Sequence, residues 1–126
     1  MQLSDAVAVG RWALGSMNVI ATPVQGIWHG RSLFDGSDCF FEIRAHHEHG
    51  LVDYHVGSMA LRLPRVSIRV TPGETRGMEH DDCTAAMTTW RAAGLDHEGW
   101  LRTCRAHDVE VLLFKAQIET AWNSTR

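Results

Sequence analysis

The stretch from Asp96 to about Trp122 constrains this chain more than any other, because it is the one long helix signal. Trp100, Cys104, Val111, Phe114, Ile118 and Ala121 recur at three- and four-residue spacing, which places them on one stripe of a helix. His107 sits inside that stripe. Asp96 is suited to cap the helix, and Glu98 puts negative charge in the first turn, where the helix dipole favours it. A helix with a single apolar stripe has to bury it. Almost everything before Asp96 reads as short strands and turns, so the expected partner is an antiparallel sheet. Whether the two pack tightly or leave a cavity decides what such a protein can do.

In chain order, Ser4 to Gly15 predicts a short helix capped by Ser4 or Asp5 and stopped at Gly15. Strands are expected over Met17–Ala21, Ile27–Phe34, Cys39–His46, Leu51–Val56, Arg65–Thr71 and Cys83–Arg91. In the second, Trp28, Gly30, Ser32 and Phe34 share a face. Asp35-Gly36-Ser37-Asp38 then makes a hairpin turn. Phe41, Ile43 and Ala45 alternate with Glu42, Arg44 and His46, and Val52, Tyr54 and Val56 with Asp53 and His55. That alternation describes a sheet with one covered and one solvated face. Gly57 to Pro64 reads as a connection, Thr75 to Asp82 as a loop, and Asn123 to Arg126 as a frayed tail. The expected fold class is α+β: a single domain over 1–126 with a short N-terminal helix, an antiparallel sheet of about six strands and a long C-terminal helix.

Composition removes several classes of function. At 126 residues the chain supports one core. Its net charge of −3 is not the basic surplus of a general nucleic-acid binder. No apolar run is long enough to span a membrane, and the start does not read as a signal peptide. Cys39, Cys83 and Cys104 are odd in number and widely spaced, which argues for free thiols in a reducing, cytoplasmic setting. Five tryptophans in so short a chain call for a core or a pocket to hold them.

Four motifs point to a family. They are Arg11-Trp12-Ala13-Leu14-Gly15-Ser16, Gly30-Arg31-Ser32-Leu33-Phe34-Asp35-Gly36, Leu51-Val52-Asp53-Tyr54-His55-Val56-Gly57 and Thr89-Trp90-Arg91-Ala92-Ala93-Gly94. Together, and over nearly the whole chain, they resemble the SRPBCC superfamily in its polyketide cyclase/dehydrase-like branch. The resemblance implies a START-like helix-grip fold, in which a curved antiparallel sheet wraps a long C-terminal helix around an apolar cavity. Members bind lipids, sterols, polyketides or other hydrophobic molecules, and some are cyclases, dehydratases or hydrolases. This chain departs from the family pattern by opening within the helical segment, without the usual first strand. Either the natural start lies upstream of Met1, or the sheet is a six-stranded variant. The missing strand would leave an open edge through which two copies could pair as a homodimer.

The residues expected to line a ligand cavity are Trp12, Trp28, Phe41, Tyr54, Met87, Trp90, Cys104, His107 and Val111. The plain alternative for each is that it fills a core. Tyr54 and His107 put a hydroxyl and an imidazole among apolar neighbours, and these are the leading candidates for acid–base work. Asp53 and His55 share a strand face beside Glu42 and Arg44. That arrangement fits either an acid–base pair or, better, a solvated outer face. His46, His47, Glu48 and His49, like His80, Asp81, Asp82 and Cys83, resemble metal ligands in composition only, and polar turns explain them better. No metal or other cofactor is expected. Three functions follow: a binder of a small hydrophobic molecule, a cyclase- or dehydratase-like enzyme on the same fold, or an interaction protein whose tryptophans fill the cavity.

Overall fold

The computed structural model describes residues 2–79 and 82–124. It shows an α+β helix-grip architecture. Six strands form one antiparallel sheet in the order β1-β2-β3-β4-β5-β6, so every connection joins neighbours. The strands are β1 (Met17–Ala21), β2 (Trp28–Arg31), β3 (Asp38–His46), β4 (Leu51–Gly57), β5 (Arg62–Pro72) and β6 (Cys83–Thr89). A short helix α1 (Ala6–Val9) precedes them and a 28-residue helix α2 (His97–Ser124) follows.

The caps act as their residue types dictate. The Asp96 carboxylate accepts a hydrogen bond from the Gly99 amide at 2.7 Å, which satisfies an orphan donor at the start of α2. Asp5 does the same for α1, accepting from Val7 and Ala8 at 3.0 and 3.3 Å.

Register pairs Ile43 with Tyr54, Tyr54 with Val66 and Val66 with Thr89 across four strands. The inner face therefore carries Phe41, Val52, Tyr54 and Ile68, all buried, and these cluster with Leu3, Val9 and Trp12 from the N-terminal segment and Phe114 from α2. The outer face carries the charges. Glu42 receives Arg62 Nε at 2.5 Å and Arg44 at 3.5 Å, and His46 lies 3.7 Å from Asp53. The Arg62 guanidinium holds the Glu42 carboxyl below the ordinary carboxylate range.

Several boundaries differ from the sequence expectation, each for a local reason. The first helix is four residues long rather than reaching Gly15, because the chain turns at Gly10. A Cβ there would lie 2.6 Å from Val19 Cγ2, so glycine lets β1 close in. Strand β2 stops at Arg31 because the turn opens early. Ser32 and Ser37 close it backbone to backbone at 2.9 Å, and Phe34 is left exposed instead of sharing the inner face with Trp28. Strand β5 begins at Arg62, three residues earlier than expected. Pro64, which has no N–H to give the ladder, pairs with His55 beside a β-bulge. Strand β6 ends at Thr89, and α2 continues through Asn123 and Ser124 where a frayed tail was expected. Among the described residues no helix is long and apolar enough to cross a membrane.

Candidate functional site

Between α2, the inner face of the sheet and the segment after α1 lies a partly open cavity of about 280 Å³. Its walls are mostly apolar, with Val9, Trp12 and Ala13 on one side, Phe41, Val56 and Val66 from the sheet, and Trp90, Ala92 and Leu95 near the start of α2. Trp12 and Trp90 stand in these walls. This size and lining stand at the small end of pockets that hold organic ligands.

A short polar chain crosses one wall. Thr89 Oγ1 and His107 Nδ1 share a hydrogen bond at 2.5 Å, and His107 Nε2 stands 3.5 Å from Glu110 Oε1. Glu110 is only 5% exposed. Burial pushes its carboxyl up to about 8, partly offset by the Leu14 backbone amide that it accepts from. Burial also lowers the imidazole of His107, while Asp108 pulls it back up. The distance alone would read as an ion pair. Desolvation acts against both charges, so the favoured state at neutral pH is an uncharged acid beside an uncharged imidazole. Such a pair can give a proton from one member and take one at the other.

Helical spacing explains why these groups meet. His107 and Glu110 are three apart, hence neighbours on one face of α2, and Thr103 lies one turn earlier on the same wall. Thr89 is the last residue of β6 and faces inward with Ala85 and Met87.

The bulge in β5 adds a cation. Tyr54 pairs with Val66 and His55 with Pro64, so Arg65 is the extra residue between them. Strict alternation would send Arg65 outward when Val66 points in. With the bulge, both line the cavity.

Of the residues expected at a ligand site, Trp12, Phe41, Tyr54, Trp90 and His107 line this cavity. Trp28, Met87 and Val111 instead pack around the buried core, and Cys104 is half-buried outside the lining. Tyr54 has a structural engagement. Its hydroxyl donates to the Leu3 carbonyl at 2.5 Å, and burial raises its pKa far above the ordinary phenol, so its proton is held in place. Asp53 and His55 lie on the opposite face of the sheet from Tyr54, across from Arg44 and Glu42, and do not line the cavity.

Glu110, Thr89, Thr103 and Arg65 also belong to the site, beyond the lining residues expected from the sequence. For Glu110 a signal existed, since it falls on the same helical face as His107 and Phe114. Ser16 and Cys39 also line the cavity, with the serine hydroxyl donating to the thiol at 2.9 Å. Burial pushes the Cys39 thiol up, which keeps it protonated.

Among the described residues no three His, Cys, Asp or Glu side chains gather as a metal site would require. His47 to His49 form a single exposed turn, and His80 and Asp81 of the second group lie outside the described residues. In comparisons with known proteins, no family model and no curated relative matches this sequence.

Proposed function

We propose that this protein binds a small, largely apolar molecule in the cavity between its sheet and α2, in the manner of the SRPBCC proteins that its motifs resemble. The observation that carries the reading is the open space of about 280 Å³ where a protein of this size would otherwise complete its core. A void lined by Trp12, Phe41 and Val66 forfeits dispersion contacts on one side of each residue, and an occupant of matching shape restores them. Native mass spectrometry of the purified protein, followed by denaturing extraction, tests this. A co-purifying apolar molecule supports binding and gives its chemical class. A protein that is empty and also takes up no added apolar probe contradicts it.

A second reading is favoured by one observation, the Thr89–His107–Glu110 chain on the cavity wall. On this reading the protein is a proton-transfer enzyme of cyclase or dehydratase type. Glu110 donates a proton to an oxygen of the substrate, and His107, oriented by Thr89, removes one from carbon. Once a ligand is known, His107→Ala and Glu110→Gln should each lower turnover on it about 100-fold or more while leaving binding nearly intact. Unchanged turnover in both variants would return the site to simple binding.

A further inference from the structure

We propose that the molecule held in this cavity is an amphipathic anion, with its apolar body inside and its carboxylate gripped by Arg65 at the rim. The proposal rests on the cavity reading above and adds a charge to the ligand.

The cation owes its place to the bulge in β5. Arg65 reaches the cavity only because the strand carries one extra residue at that point. Its guanidinium donates to the carbonyl of its own neighbour, Pro64, at 3.0 Å. No carboxylate among the described residues lies within ion-pair distance of it. Arg62, on the same strand, is by contrast fixed by Glu42 at 2.5 Å. A planar guanidinium offers paired N–H groups that match a carboxylate, and most of those on Arg65 are unused by the protein.

The rest of the lining leaves Arg65 as the one fixed charge. His107 and Glu110 are the other ionisable groups that could carry charge there, and burial drives both toward neutrality. An anionic head group at this rim would be attracted by the guanidinium, and a cationic one would be repelled. The site is at the rim because Arg65 is partly exposed and Trp90, which shares the lining and whose amide donates to the Arg65 carbonyl at 3.0 Å, is 47% exposed. The head group therefore stays hydrated on one side while the body enters. A volume of about 280 Å³ suits a body of roughly ten to fifteen non-hydrogen atoms at close packing.

Isothermal titration of the intact protein with decanoate, decan-1-ol and decylamine tests the proposal, since the three share a chain and differ in head charge. Decanoate should bind at least tenfold more tightly than decan-1-ol, and decylamine most weakly. Arg65→Gln should bring decanoate down to the level of decan-1-ol measured on the same variant, and Arg65→Lys should keep part of the advantage. As a measurement independent of any variant, rising salt should erode the decanoate advantage in the wild-type protein and leave decan-1-ol unmoved. Equal binding of decanoate and decan-1-ol, or an advantage indifferent to both Arg65→Gln and salt, would overturn the anionic ligand and leave the cavity reading standing. Failure of all three probes to bind would overturn both.

Discussion

His107 and Glu110 lie three residues apart on α2 with Nε2 and Oε1 separated by 3.5 Å, and burial drives the two side chains toward neutrality from opposite directions. The carboxyl gains affinity for its proton and the imidazole loses affinity for one. The pair is therefore poised as donor and acceptor on the wall of a partly open cavity. Thr89 fixes which imidazole nitrogen faces the acid, since Nδ1 is engaged by its hydroxyl.

The carboxyl makes stability depend on pH. Glu110 is raised from 4.5 to about 8 on folding. Its contribution is fully present below pH 4.5, where folded and unfolded chains both hold the proton. It is lost as pH rises toward 8, because only the unfolded chain ionises freely. The loss is on the order of 4 kcal/mol. His107, lowered on folding, acts in the other direction and costs stability as pH falls below about 6.5. Urea denaturation at pH 5 and pH 8 should show Glu110→Gln losing much less stability than the wild type between the two, with the His107 contribution common to both. Equal losses would mean that Glu110 ionises freely in the folded protein.

Thr89→Val keeps the shape of the side chain and removes the hydroxyl from His107. The expected cost is about 1 kcal/mol of stability, the net worth of one part-buried hydrogen bond. Imidazole resonances followed by NMR should also show the ring tautomer shifting, since Nδ1 no longer has its partner. An unchanged tautomer would show that Thr89 does not orient the ring.

Tyr54→Phe removes the donor to the Leu3 carbonyl and leaves that acceptor buried without its partner. A loss of roughly 1–3 kcal/mol in denaturant unfolding is expected. Affinity for any cavity ligand should change little, because the hydroxyl serves the N-terminal segment. A large loss of affinity with intact stability would instead place the hydroxyl against the ligand.

The long helix was legible because three independent signals agreed: an Asp96 cap, an apolar stripe and a chain of strands ahead of it. The strands were legible where one face is buried, as in Phe41-Glu42-Ile43-Arg44-Ala45. Their ends were not, since Ser32, Pro64 and Gly10 act through turns and close contacts that depend on the partner strand. The site was half legible. His107 stood out because an imidazole in an apolar stripe is conspicuous. Glu110 occupies the same face but reads as a solvent residue until its burial is seen. Arg65 could not be read at all, because alternation sends it outward and a bulge reverses that. Trp28, Met87 and Val111 could not be separated from Trp12 and Phe41 by pattern, since core packing and cavity lining select the same residue types at the same spacing.

Titrating decan-1-ol into the wild-type protein and Thr103→Phe under native mass spectrometry decides whether a ligand cavity lies beneath α2. Thr103 lies on the cavity wall, and a phenyl ring in its place takes up the space. A saturable one-to-one adduct is expected with the wild type and none with Thr103→Phe, with both proteins unfolding cooperatively. An unsaturable ladder of adducts, or an adduct indifferent to Thr103→Phe, would contradict a ligand cavity there.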